Sequence, residues 1–346
     1  MAYYDENTKK LLEDLYAFRS PINYSGTLAR DPIADALARD PRLAVYVQGY
    51  SARSSLFACQ LHVTYANKDV PLDQIVVVDS ATEAEEALHK CVSAGKPRLF
   101  VVTTADISLY QIQADFSMIY HGFYANLQNM EGKVTGIEAL NLQCMQLNCT
   151  YRIGKVLLNM MEKELQQEIT KLSHKLFCPS MNDAVKAYVA HNYLAKTVEY
   201  DTREELNSLE MSYRQSAYGA IIQHKCVCQG FAEAYKRLLD TQGIDCQVVC
   251  GKIKRSEEYH AWNLVSFNGV DYYHVDVTWD SFSTGRTSDT YYGLSDRDMA
   301  STRLWTKRPF WTCNGEIDIK AIAKKQIADK KHLFLSQGVD AEYLEV

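Results

Sequence analysis

The first half of the chain alternates between short apolar runs and helical periods. Gln74 to Asp79 is an apolar run of strand character, Ala81 to Val92 has helical spacing and is stopped by Gly95, and Arg98 to Thr103 is a second apolar run. That β-α-β order predicts an α/β layer, without fixing whether the strands run parallel. A helix is predicted next, from about Leu109 to Met130. Ile137 to Tyr151 alternates as a long strand with one face on a core. Lys155 to Phe177 returns to the helical period, with Leu157, Leu158, Met161, Leu165, Ile169, Leu172 and Leu176 on one stripe. Cys178-Pro179 ends that helix. The expected division is therefore an N-terminal α/β domain, 1–178, a second domain, 179–313, and a C-terminal tail, 314–346, helical in pattern from Ile317 to Lys331.

In the second domain, Gly230 to Gly243 has helical spacing, with Phe231, Ala234, Tyr235, Leu238 and Leu239 apolar and Gly243 as a stop. Further on, Asn268-Gly269 separates two apolar, β-prone runs, a strong local signal for a hairpin. Its register is open to two readings. A two-residue turn pairs Phe267 with Val270 and His260 with Val277, which leaves Asp276 on the other face. A three-residue turn with Gly269 left-handed pairs Ser266 with Val270 and sets His260 opposite Asp276. The polar stretch 281–289 after the hairpin is a loop that could border a cleft.

Composition narrows the class. With 346 residues, 47% hydrophobic and 23% charged, the chain is ordinary for a globular protein of more than one domain. A net charge of -6 and short basic runs such as Lys252 to Arg255 and Lys324-Lys325 give no nucleic-acid footprint. No apolar leader and no membrane-spanning run is present, so a cytoplasmic location and no membrane partner are expected. The ten cysteines lack the spacing of a disulfide scaffold and are expected to be mostly reduced and buried.

One of them stands apart. Cys228 falls where an irregular polar segment gives way to a helix, and His260 and Asp276 follow in that order. The unpaired N–H groups and positive dipole end of a helix start favour a thiolate, a histidine can hold its proton, and a carboxylate can orient the ring. These are the parts of a thiol nucleophile system. His274 is a rival base, and His224 a peripheral candidate. Cys226, Cys228, His224 and His260 could together suggest zinc, but two cysteines one residue apart do not have structural-site spacing, and no metal or cofactor is expected. Trp262 and Trp279 flank the candidate residues and are expected to wall the site. The backbone N–H of Cys228 is the natural first oxyanion donor, with Tyr218 and Gln223 as upstream candidates for the second.

The segments Val227 to Ala232, Tyr259 to Asn263 and Val275 to Asp280 together resemble the transglutaminase-like superfamily. The likeness extends to His191 to Leu194, Tyr200-Asp201, Ser216 to Ala220 and Tyr291 to Asp296. The resemblance implies an α+β fold with a papain-like core, in which the helix bearing the nucleophile packs on an antiparallel sheet. It implies Cys228 as nucleophile, His260 as general base and acid, and Asp276 as its orienting partner. It also implies acyl transfer on peptide or protein substrates: peptidase or deamidase if water is the acceptor, transglutaminase if an amine is. The His-to-Asp stretch is a residue longer than is common in the family, so the hairpin is expected to take the three-residue turn, or a bulge that restores the same parity. A non-catalytic binding or scaffold protein that retains the fold is the alternative, and no calcium-loop pattern is found.

Overall fold

A computed structural model of the protein describes residues 6–25, 31–54, 59–120, 126–281, 288–307 and 311–345. It divides into two compact units, residues 1–118 with 129–150, and residues 119–128 with 151–346.

The first unit contains two sheets. After α1 (Glu6–Tyr16) come β1 (Ile22–Tyr24), α2 (Pro32–Arg39), β2 (Val47–Ser54) and β3 (Cys59–Tyr65), the strands forming an antiparallel sheet of order β1-β3-β2. The second sheet is built from β4 (Ile75–Val77), α3 (Ala81–Ser93), β5 (Arg98–Thr103), α4 (Leu109–Tyr120), β6 (Leu127–Ile137) and β7 (Leu142–Tyr151), in strand order β4-β5-β7-β6. β4 and β5 are parallel, as a crossover through α3 requires, whereas β7 joins β5 antiparallel. The helix expected to run to Met130 is described over Leu109–Tyr120 and does not reach Met130. Leu127 to Met130 instead begins β6, and residues 121–125 lie outside the described residues. The long strand expected from Ile137 begins at Leu142, after a one-turn 3-10 helix and a left-handed Asn141.

The second unit is built on one large core. It comprises α5 (Lys155–Leu176), α6 (Asp183–Thr197), β8 (Glu199–Tyr200), α7 (Ser208–Arg214), α8 (Ala217–Ile221), β9 (Lys225–Cys226), α9 (Cys228–Asp240), β10 (Asp245–Ile253), β11 (Tyr259–Ser266), β12 (Tyr272–Val275), α10 (Val277–Asp280), β13 (Tyr292–Leu294), α11 (Asp296–Met299), β14 (Arg303–Trp305) and α12 (Ile319–Ser336). The sheet has the order β13-β12-β11-β10-β14, and its four pairings are antiparallel. One face carries Val248 and Ala261 against Ala232 of α9, and the other gathers Val249, Trp262, Leu264 and Tyr272 with Met299 and Cys313. This is an α+β arrangement, with the helix that begins at Cys228 packed on an antiparallel sheet.

Two expected boundaries move. The α5 stripe at Met161, Leu165, Ile169, Leu172 and Leu176 is buried in the core of the second unit, so the division falls at 150/151 and not at 178. Within that stripe Leu157 is exposed and Leu158 only partly buried. The segment beyond 313 is no appendage either, because Ile319, Ala323, Ile327 and Phe334 of α12 fill the same core. No helix among the described residues is long and apolar enough to cross a membrane.

Candidate active site

Cys228 opens α9 because the chain arrives there fully extended. β9 pairs with β8, Val227 is extended and donates its N–H to the carbonyl of Arg214 at 2.9 Å, and the helix begins at the next residue. Gly230 permits this start, since a Cβ there would lie 2.5 Å from Cβ of Cys226 and 2.8 Å from the carbonyl oxygen of Ser216. Cys226 is therefore a packing residue, fully buried beneath the helix, whereas Cys228 is partly exposed. Among the described residues no side chain caps this N-terminus, so its first-turn N–H groups stay available to a sulfur or oxyanion placed there.

His260, one residue into β11, is paired with Gly251 of β10 and buried. Its Nε2 lies 2.8 Å from Oδ2 of Asp276, which leaves Nδ1 as the ring nitrogen for the thiol. Burial acts to strip the ring of its charge. The Asp276 charge and hydrogen bond, followed by the Cys228 thiol as a hydrogen-bond partner, outweigh that and hold its pKa at about 9. Trp262 stacks on the ring at 6.0 Å and Trp279 meets it edge-on at 6.3 Å, so both tryptophans wall the histidine.

Asp276 reaches His260 by a route different from the expected register. Ser266 pairs with Tyr272 and not with Val270, because the Asn268 side chain widens the turn by accepting from the N–H groups of Val270 and Asp271, both at 2.9 Å. Gly269 is left-handed, as expected. Parity is that of the three-residue turn, but the register is displaced by two, and a continued strand would set Thr278 opposite His260. The strand instead ends at Val275. Asp276 caps the single turn of α10 by accepting from the Trp279 N–H at 3.3 Å, and its other oxygen meets the imidazole.

The same Oδ2 also accepts from Arg303 Nη2 at 2.7 Å, with both side chains completely buried. Burial pushes the Asp276 carboxyl up, but His260 and then Arg303 pull harder, and it rests below the usual carboxylate range. Sequence reasoning missed Arg303, which lies in a three-residue strand, 27 positions after its partner.

The other candidates are placed elsewhere. His274 is buried, and burial drives it toward the neutral form. Its Nδ1 accepts from Trp262 Nε1 at 2.9 Å and its Nε2 faces Asp296 Oδ1 at 2.9 Å, so both nitrogens are committed. Although His274, Asp296 and Cys313 converge closely enough to hold a metal ion, an Nε2-bound metal would leave the proton on Nδ1, facing the indole N–H. Those residues therefore do not fit a metal while Trp262 keeps its bond. Tyr218 donates to Glu164 at 2.7 Å, and Gln223 lies with that hydroxyl, so both upstream oxyanion candidates are occupied there. His224 is exposed at a left-handed turn. Of the polar loop expected to border a cleft, residues 282–287 lie outside the described residues.

Residues 170–277 match the family model of the transglutaminase-like superfamily, a span that includes Cys228, His260 and Asp276. No match was found among curated proteins. Among solved structures, the chain is similar to one described as a TGase, with 14% identity over 96% of this chain and 93% of the other and a TM-score of 0.31. It is also similar to a proposed cysteine protease from Cytophaga hutchinsonii, with 14% identity over 55% of this chain and 84% of that one and a TM-score of 0.29. A proposed protease from Parabacteroides distasonis gives 7% identity over 51% and 39% of the two chains, with a TM-score of 0.26.

Proposed function

With residues 170–277 forming a transglutaminase-like core, we propose that the protein is a thiol-dependent acyl-transfer enzyme in which Cys228, His260 and Asp276 form the catalytic triad. The observation that carries this reading is the ring of His260, held through Nε2 at 2.8 Å by a buried carboxylate while its other side serves a thiol on an uncapped helix start. Cys228 Sγ attacks a peptide or glutamine side-chain carbonyl, and the oxyanion develops against the first-turn N–H groups of α9. His260 gives its proton to the departing amine as the thioester forms, then takes one from the acceptor in the second half. A ring that keeps its proton to about 9 is charged, and so able to act as the acid, at neutral pH.

Substrates are peptides or proteins, and the acceptor is water or an amine. Mass spectrometry of a peptide library, with and without an added primary amine, separates the outcomes, because cleavage, deamidation and amine incorporation change mass differently. All three are expected to vanish in Cys228→Ala. Iodoacetamide near pH 6 is expected to label Cys228 ahead of the buried cysteines. A native protein with an inert Cys228 and no product would point to a scaffold that only retains the fold.

A further inference from the structure

Arg303 lies outside the segment matched by the family model, yet it touches the triad carboxylate directly. Its environment is costly for a side chain whose purpose is packing. The residue is fully buried, and among the described residues Nε and Nη1 have no hydrogen-bond partner. The guanidinium carbon lies 3.9 Å from the Trp279 ring centroid and 5.4 Å from that of Tyr291, so aromatic faces stand where acceptors would otherwise be. A buried ion pair contributes little net stability, and one with two unmet donors contributes less, so an apolar side chain would fill this position at lower cost.

What an apolar side chain could not do is share Oδ2 of Asp276 with His260. Resting on the triad reading above, we propose that Arg303 is a positioning residue for the triad: it pins the Asp276 carboxylate and divides that negative charge between two cations, so that His260 can still release its proton. The Asp276 carboxylate then lies between two cations, Arg303 and the imidazolium. Without Arg303, the buried carboxylate would face the imidazolium alone and hold its proton too tightly for transfer.

The other groups around the ring are fixed by their own partners. Behind Trp262 stand His274, Asp296 and Lys307, joined by the His274–Asp296 contact at 2.9 Å and the Lys307–Asp296 pair at 3.1 Å. On β10, Lys252 is turned onto the ring of Tyr259, and Cys250 is held as a thiol by burial. At the thiol, Tyr200 lies in electrostatic range of Cys228, Arg214 and Glu258. Among the described residues the triad carboxylate is hydrogen-bonded by His260, by the Trp279 backbone N–H and by Arg303, and not by any of these neighbours.

The test is an NMR titration of 15N-histidine-labelled full-length protein, with His260 assigned through His260→Gln. In Arg303→Met the ring is expected to keep its proton about one pH unit or more higher than in the native protein, as removal of an opposing charge at this range requires. Arg303→Lys is expected to titrate close to the native protein. Arg303→Gln, neutral but still able to donate to Asp276, should follow Arg303→Met and serves if that variant does not fold. A folded neutral variant that titrates where the native protein does would overturn the proposal. So would a protein that folds with Arg303→Lys but with neither neutral residue, because Arg303 would then be a determinant of folding. The titration uses neither substrate nor thiol chemistry, so an unreactive Cys228 would count against the catalytic reading and not against this one.

Discussion

At Asp276 the hairpin leaves the sheet, and both oxygens of one carboxylate are used in doing so. Oδ1 caps α10 and Oδ2 is divided between His260 and Arg303. This couples folding to protonation in a direction that can be worked out. The folded-state pKa of His260 is about 9, above the unfolded value of about 6.5, so its contribution is complete below that lower value and is lost as pH rises through 9. Asp276, held below its usual range, acts in the opposite sense and loses its contribution as pH falls through the folded value. In urea unfolding, native protein is therefore expected to lose on the order of 3 kcal/mol more than His260→Gln between pH 6.5 and 10. Equal losses in the two proteins would show that the imidazolium is not held by the fold. That His260 and Asp276 would meet was readable from residue type and order. Arg303 was not, because a lone arginine before Leu304-Trp305 has no local pattern that announces burial.

Among the elements, those governed by local rules could be read and those closed by distant partners could not. α9, β5 and the hairpin follow from helical period, apolar run and Asn-Gly turn. The hairpin's parity was legible. Its register was not, since Asn268 satisfies two backbone N–H groups by a side-chain route that strand counting does not include. β14 is the least legible, three residues fixed to β10 only by tertiary pairing, yet it carries Arg303. Gly251 is what lets it approach. A Cβ there would lie 2.3 Å from the Leu304 carbonyl oxygen and 2.7 Å from Cη2 of Trp262, so both the neighbouring backbone and the packed indole have to give. Gly251→Ala is expected to cost about 1–3 kcal/mol in denaturant unfolding, the usual range for overpacking. It should also shift the His260 titration in the direction of Arg303→Met, because the displaced strand takes the guanidinium with it. A loss of stability with an unmoved titration would show that β14 can shift without releasing Asp276.

At the scale of the whole second unit, the C-terminal segment closes the core that holds α6, the helix on which the site's framework rests. α6 is buried along most of its length. Its His191 bonds Asp280 at the end of α10 at 3.1 Å, with both side chains fully buried, and its Asn192 amide donates to the carbonyls of Tyr343 and Glu345 at 3.2 and 3.3 Å. Ile319, Ile327, Phe334 and Leu344 cover the same core. Sequence pattern showed that α12 would be helical but not which surface it would cover, since its lysine-rich outer face reads as a solvated helix of any kind. Each of those four side chains is worth about 1.5–3 kcal/mol when fully buried, and together they rival the net stability of about 5–15 kcal/mol typical of a native protein. A chain ending at residue 313 would also leave the Asn192 amide without its two acceptors. That truncation is expected to lose near-UV circular dichroism from the second unit, to bind a hydrophobic dye such as ANS, and to expose Cys246, otherwise fully buried, to alkylation at neutral pH. Retention of sharp, cooperative unfolding with Cys246 still protected would mean that the core closes without α12, and that the segment beyond 313 is the appendage its sequence pattern suggested.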